Sequence, residues 1–108
     1  MTLFRKWDEA KSVEAVPGAT RRTMAVGDRT LLVEWRIAQG AAVPLHTHEY
    51  EQIGYMASGS GTMTIGEQAQ ELKPGDGYCV PSGVPHGLVA SEDCCVVDVF
   101  APVREDYK

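Results

Sequence analysis

The sequence predicts an all-β fold, a barrel or jelly roll, built as a single domain over residues 1–108. Two patterns point to it. From about residue 20 onward, short runs of alternating apolar and polar residues are separated by turns rich in Gly and Pro. Helical periodicity is weak and confined to residues 8–14. The length of 108 residues is also ordinary for one domain.

The clearest early strand covers residues 31–37. Because side chains alternate along a strand, its large apolar residues share one face and its charged residues share the other. The apolar face comprises Leu31, Val33, Trp35 and Ile37, and the polar face comprises Glu34 and Arg36. We therefore expect one buried face and one wetter face.

A hairpin is predicted in the middle of the chain. Residues 62–65 and 68–72 read as strands, and they flank the dipeptide Gly66-Glu67. A two-residue loop that begins with Gly favours a type II′ turn, whose twist matches that of the strands it joins. We therefore expect these two strands to pair directly.

Two further turns and a strong strand complete the predicted fold. The turns lie at 73–77 and 81–85, and both combine Pro with Gly. The last strand covers 94–100 and is almost entirely apolar. The tail at 101–108 is polar and contains Pro102, so we expect it to run over the surface.

Composition excludes several classes of function. Fifteen acidic and ten basic residues give a net charge of −5, and the basic residues are scattered, which argues against nucleic acid as a partner. The start lacks the apolar stretch of a signal peptide, and no apolar run could span a membrane, so we expect a cytoplasmic protein. Because small all-β chains often gain stability by pairing, a homodimer is also expected.

The three cysteines are interpreted as free thiols. Cys79, Cys94 and Cys95 form no spaced pair of the structural-zinc type, and an odd number argues against a disulfide framework. Free cysteine behaves as a small hydrophobic residue, so we expect these side chains to be buried or half-buried in strands. They are not predicted to bind metal.

A pair of histidines suggests a metal site. His46 and His48 would lie on one face of an extended strand, and Gln52 has the same parity if that strand continues. Glu49 and Glu51 have the opposite parity and would point away. Imidazole nitrogens and an amide oxygen suit a divalent ion such as Zn, Fe, Mn, Ni or Cu, provided that the histidines are neutral.

The residues around these histidines resemble the two sequence motifs of the cupin superfamily. The first motif is matched by Gly40, His46, His48, Gln52 and Gly59, and the second by Gly75, Pro81, Gly83 and His86. A short spacer at 60–74 separates them, and every histidine of the chain occupies a ligand position of the pattern. The resemblance implies a cupin jelly-roll barrel in which His46, His48, Gln52 and His86 bind one divalent metal ion.

Two positions depart from the usual cupin pattern. Gln52 stands where many cupins have a glutamate ligand, and Ala90 stands where the second motif often has asparagine. With a neutral amide in place of the carboxylate, the protein would leave the charge of the ion uncompensated. Such a site is a stronger Lewis acid and attracts an anionic substrate. A metal-free cupin that keeps these residues as a polar cluster remains an alternative.

Asp98 is the leading catalytic candidate. It lies in the otherwise apolar strand 94–100 and shares a face with Phe100, and an ionisable group there is costly unless it is paired or used. The alternative is an aspartate that pairs with an arginine at the rim of the barrel. Arg104 could clamp a substrate carboxylate through two hydrogen bonds.

Other side chains are weaker candidates for the pocket. Arg21, Arg22 and Arg36 could also bind an anion, and Tyr50 and Tyr55 could line the cavity. Tyr55 has the wrong parity for the face that would hold the metal.

Three segments, 46–56, 81–87 and 98–107, look like the pectin-degradation cupins of the KdgF type, which linearise unsaturated uronate sugars. The similarity extends from Trp7 to the C-terminus. It implies that Asp98, Phe100 and Arg104 belong to the active pocket. It also implies a small anionic sugar as substrate, namely a 4,5-unsaturated uronate monosaccharide from pectin or alginate breakdown. Two alternatives stay open: a cupin dioxygenase that uses Fe or Cu, and a non-enzymatic cupin that binds sugar or metal.

Overall fold

The computed structural model describes residues 2–108, which form ten β-strands and two short 3₁₀ turns. The turns are Trp7–Glu9 and Glu105–Tyr107. The strands are β1 (Ser12–Val16), β2 (Ala19–Val26), β3 (Leu31–Ile37), β4 (Ala42–His46), β5 (Glu51–Ser58), β6 (Gly61–Ile65), β7 (Gln68–Leu72), β8 (Gly77–Val80), β9 (His86–Ala90) and β10 (Cys94–Ala101). No helix within residues 2–108 is long and apolar enough to cross a bilayer.

The strands form two antiparallel sheets. One has six strands in the order β1-β2-β3-β10-β5-β8, and the other has four in the order β4-β9-β6-β7. The prediction of an all-β jelly roll is confirmed. The two sheets are not hydrogen-bonded into one closed cylinder, so the barrel is open between them. The chain crosses from one sheet to the other several times, and side chains from both sheets therefore meet between them.

The core lies between the sheets and follows the predicted alternation. On β3 the residues Leu31, Val33, Trp35 and Ile37 are all buried, whereas Arg36 is exposed. The last strand, β10, pairs with both β3 and β5, so it lies inside the six-stranded sheet and buries every second side chain. The predicted hairpin is also confirmed, because β6 and β7 pair in register around Gly66-Glu67.

The N-terminal segment is extended, where the sequence suggested weak helical character. The helical turn stops at Glu9, and β1 then pairs with β2 through residues such as Ser12 and Arg22. An edge strand gains ladder hydrogen bonds from its neighbour, whereas an isolated helix of this length would be unstable in water. Trp7 lies under the Arg22 guanidinium at 3.7 Å and donates a hydrogen bond to Glu34 at 2.6 Å.

The C-terminal tail runs over the surface, as predicted, with four of its eight residues exposed, but Arg104 and Tyr107 pack against the protein. Arg104 is only 9% exposed, and its guanidinium lies 3.7 Å from the centre of the Tyr107 ring. The Tyr107 ring in turn packs edge-to-face on Phe100 at 5.5 Å, and its backbone carbonyl accepts a hydrogen bond from Thr23. Aromatic area and cation–π contact fold this polar segment back onto the core.

The cysteines are free thiols, as predicted, but they differ in exposure. Cys94 is buried and Cys95 is half-buried. Cys79 is exposed, against the prediction, because β8 is an edge strand and Cys79 alternates with the inward-facing Val80.

Candidate functional site

Three histidines meet at one end of the space between the sheets. His46 ends β4 and pairs in register with His86, which begins β9, while His48 lies in the loop that follows β4. The ring centres of His46 and His48 lie 4.2 Å and 4.6 Å from that of His86. One ligand atom from each ring falls within 4.8 Å of the others. Zinc binds imidazole at about 2.0–2.1 Å, so the three ligand atoms would have to move closer together to share one ion.

The histidine cluster forms, but the prediction that one continuous strand carries His46, His48 and Gln52 is wrong. His46 and His48 do not share one strand, because β4 ends at His46 and β5 begins only at Glu51. The intervening loop carries the chain from the four-stranded sheet to the six-stranded sheet. Gln52 therefore approaches the histidines from the opposite sheet, where it is 6% exposed.

The imidazoles are oriented by backbone carbonyl groups. The Nδ1 atoms of His46, His48 and His86 lie 2.9, 2.9 and 3.0 Å from the carbonyl oxygens of Pro44, Tyr50 and Val84. A carbonyl oxygen can only accept, so each Nδ1 carries the proton and donates it. The Nε2 lone pair of each ring is therefore free to bind a metal ion, and the ring is held in place for it.

The atoms that face one another in the cluster fit a cation. With its proton on Nδ1, His48 presents the Nε2 lone pair to the amide oxygen of Gln52 at 3.0 Å. Two acceptors at this distance repel each other unless a positive charge lies between them. The Nε2 atom of His86 is buried and has no hydrogen-bond partner within residues 2–108. A divalent ion would satisfy all of these atoms at once.

Burial keeps two of the histidines neutral. Removal from water lowers the pKa of His86 to about 4, and the hydrogen bond to the Val84 carbonyl only partly opposes this. Burial likewise lowers the pKa of His48, and the nearby positive charge of Arg104 adds to the effect. Neutral imidazole is the form that binds metal, so both rings are ready to do so at neutral pH.

Asp98 lies inside the same cavity, on β10, with 3% of its surface exposed. Its Oδ1 accepts a hydrogen bond of 2.5 Å from the Tyr78 hydroxyl. Burial raises the pKa of Asp98 to about 6, while hydrogen bonds from Tyr78 and Gln52 pull it back. The partners of this carboxyl are thus a phenol and an amide, not the rim arginine of the alternative reading. A carboxyl that titrates close to neutral pH can both take and give a proton.

Arg104 borders the cavity, with Tyr107 stacked on its guanidinium and Tyr50 about 5.0 Å away. Its Nε and Nη2 atoms already bind Asp106, at 3.3 and 2.9 Å. One edge of the guanidinium is therefore occupied by a neighbour whose own side chain is largely exposed. The remaining edge is the one available for an anionic ligand.

Phe100 contributes an apolar wall. It is 2% exposed and packs edge-to-face on His48 at 5.6 Å. It pairs in register with Gln52 on β5, so the ring lies beside the predicted ligands.

The other arginine candidates lie in two different places. Arg21 stacks on Tyr107 at 3.9 Å, beside the tail. Arg22 and Arg36 both lie over Trp7, and Arg36 also pairs with Glu34, so these two belong to the outer surface.

The two tyrosine candidates also differ in position. The Tyr50 ring lies 5.9 Å from that of His48. Tyr55 is 51% exposed on β5, away from the cavity, as its parity predicted. Tyr50 thus borders the histidine cluster, and Tyr55 does not.

The cavity has about 400 Å³ of space, including its mouth. The groups that carry chemistry along its wall are His46, Gln52, Tyr78, His86, Asp98 and Arg104. Sequence reasoning missed Tyr78, since its contact with Asp98 depends on how β8, β5 and β10 are aligned.

Comparison with known proteins gives consistent matches. Residues 33–100 match the family model of the cupin domain. The chain is 33% identical to the pectin degradation protein KdgF of Dickeya dadantii (strain 3937) over an alignment of 102 residues. This alignment covers 93% of each chain.

Solved structures agree with this match. The structure of KdgF from Halomonas sp. superposes with a TM-score of 0.91 at 33% identity, covering 97% of this chain and 99% of that one. An RmlC-like cupin from Shewanella frigidimarina NCIMB 400 superposes with a TM-score of 0.94, covering 100% of this chain and 97% of that one. Its identity is 24%, so it supports the fold alone.

Proposed function

The chain belongs to the cupin family, and from this premise we propose that it is a metal-dependent isomerase that opens and linearises 4,5-unsaturated uronate monosaccharides from pectin or alginate breakdown. One observation carries the proposal: a buried carboxyl, Asp98, with a pKa raised by burial to about 6, lines the same cavity as His46 and His86, two members of the three-histidine cluster. The similarity to KdgF, a pectin degradation protein, supports the choice of substrate.

The proposed metal ligands are His46, His48, Gln52 and His86, holding one divalent ion of Zn, Ni, Mn, Fe or Cu. The backbone contacts at each Nδ1 and the facing acceptors of His48 and Gln52 support this set. When bound, the ion supplies Lewis acidity that polarises a substrate oxygen. Since none of these four ligands is anionic, the charge of the ion also favours a negatively charged sugar.

The reaction requires proton movement without a change of oxidation state. In ring opening, the bond between the ring oxygen and C1 breaks, the C1 hydroxyl loses its proton to become an aldehyde, and the ring oxygen leaves as an enolate on C5. C4 of the enolate then gains a proton, giving a ketone at C5. Asp98 takes the first proton and returns one to C4, which suits a carboxyl that titrates near neutral pH.

Two further residues hold the substrate in the proposal. Arg104 binds the sugar carboxylate with the guanidinium edge that Asp106 does not use. Phe100 forms the apolar wall beside His48 and keeps water from the reacting atoms.

The direct test is to incubate the metal-loaded protein with unsaturated galacturonate and mannuronate monomers and to follow ultraviolet absorbance. The signal disappears as conjugation between the alkene and the carboxylate is lost. Loss faster than the spontaneous reaction supports the proposal, and equal rates contradict it. Oxygen consumption with substrate would instead indicate a dioxygenase, and binding without turnover would indicate a non-enzymatic cupin.

Two variants separate metal binding from proton transfer. Asp98→Ala should keep the metal and lose turnover, whereas His86→Ala should lose both, because only the latter removes a ligand. Metal content is measured by elemental analysis of the dialysed proteins. Asp28→Ala, at an exposed position between β2 and β3, is the matched control. A fully active Asp98→Ala protein would refute the assigned role.

A further inference from the structure

We propose that Tyr78 is the positioning residue for Asp98: its hydroxyl reaches across the intervening strand, above Gly54, and holds the carboxyl in its working orientation. The inference rests on the proposed function for what the carboxyl works on. The contact itself is independent of the identity of the substrate.

The contact spans three strands of the six-stranded sheet. Gly54 on β5 pairs in register with Tyr78 on β8 on one side and with Asp98 on β10 on the other. Neighbouring strands lie about 4.8 Å apart, so β8 and β10 are separated by about 10 Å. Tyr78 covers this gap by lying across β5, and its hydroxyl ends 2.5 Å from the Asp98 Oδ1.

Gly54 leaves the space that the contact occupies. A Cβ atom at this position would lie 2.2 Å from Cζ of Tyr78 and 2.3 Å from Oδ1 of Asp98. Gly54 is not among the glycines with positive φ, so its backbone conformation does not call for glycine. The absence of a side chain is what this position requires, and it lets the phenol reach the carboxyl.

The Tyr78 hydroxyl makes the direct hydrogen bond that holds the Asp98 carboxyl, donating to Oδ1. Gln52 lines the same cavity and lowers the pKa of Asp98. A buried carboxyl that loses one donor is left partly unsatisfied, which favours its rotation toward another donor. Misplacement of a reacting group by about 1 Å can reduce a rate by about 100-fold, so orientation alone has a measurable effect.

Tyr78→Phe removes the hydroxyl and keeps the ring, so the fold is retained. We expect kcat on the unsaturated uronate to fall by about 10- to 100-fold, with KM within about twofold of wild type, and the melting temperature to fall because the buried carboxyl loses a donor. Tyr55→Phe is the matched control, because it removes a hydroxyl from the exposed face of the same sheet. A Tyr78→Phe protein with wild-type kcat overturns the proposal.

Gly54→Ala tests the same contact from the other side. The added methyl would meet the far ends of the Tyr78 and Asp98 side chains, so at least one of them must move. The double variant Tyr78→Phe, Gly54→Ala should then lose no more activity than the stronger single variant, because both break one contact. Multiplied losses overturn the proposal.

A high-resolution crystal structure of Tyr78→Phe separates this inference from the proposed function. We expect the Asp98 carboxyl to rotate or to occupy more than one conformer. An unchanged carboxyl overturns the positioning role whatever the kinetics. If the wild-type protein turns over no unsaturated uronate, the proposed function fails, and the carboxyl orientation still decides the role of Tyr78.

Discussion

The burial of Asp98 makes a quantitative prediction about stability. Its neighbours on the strand are apolar, and its pKa is raised by burial to about 6 from an unfolded value of 3.8. Asp98→Asn replaces the carboxyl with a neutral group of the same shape. We expect this variant to be more stable than the wild type at pH 8, although it loses the group proposed to move protons. The metal-free protein is the one to measure, because a bound ion would add its own charge.

The sign and size of the stability difference between Asp98→Asn and the wild type follow from proton linkage. Since the folded pKa lies above the unfolded one, the folded state binds the proton more tightly, and Asp98 loses stabilisation as pH rises from about 3.8 to about 6. Each pKa unit corresponds to about 1.36 kcal/mol, so the charged form costs about 3 kcal/mol at pH 8. Between pH 4 and pH 8 the advantage of Asp98→Asn should therefore grow by about 2–3 kcal/mol.

Urea unfolding at a series of pH values measures this difference. His86 titrates in both proteins, so subtracting the wild-type curve isolates Asp98. Asp28→Asn, at an exposed position, should show no such trend. An Asp98→Asn advantage that stays constant from pH 4 to pH 8, or that shrinks, would refute the reasoning that burial sets the pKa of Asp98.

Two further predictions concern the turn glycines and the tail. Gly40 and Gly59 both have positive φ, but a Cβ at Gly40 meets nothing within 4 Å whereas one at Gly59 would lie 2.0 Å from the Asp93 carbonyl oxygen. Gly40→Ala should therefore cost about 1–2 kcal/mol of unfolding free energy, and Gly59→Ala distinctly more; equal urea midpoints would contradict this. Arg104→Lys removes the planar group that stacks on the tail, so KM for the unsaturated uronate should rise more than kcat falls, and an unchanged KM would count against the carboxylate contact.

The homodimer and the cytoplasmic location stay predictions. Sedimentation equilibrium would check the first.

Local patterns were sufficient for most of the fold. The alternation of Leu31, Val33, Trp35 and Ile37 predicted the buried face of β3, since strand side chains alternate whatever the strand pairs with. The loop Gly66-Glu67 predicted the β6–β7 hairpin, because the type of a tight turn depends only on adjacent residues.

One error and one omission arose where a residue's environment is set by distant parts of the chain. The strand assumed to continue from His46 to Gln52 ends at His46, because the chain there leaves one sheet for the other. The tail lies at the surface, as its polarity predicted, but its anchoring was missed. Tyr107 packs on Phe100 and covers Arg104, a contact that composition does not reveal.

The sequence by itself determined the all-β architecture and the residue types of the candidate metal site, because alternation, turn glycines and ligand spacing are properties of short segments. Only the tertiary structure decided which groups meet. The contact between Tyr78 and Asp98 depends on three strands aligned at Gly54, and the raised pKa of Asp98 depends on burial between two sheets. Register and burial are set by residues far apart in the chain, so no local pattern contains them.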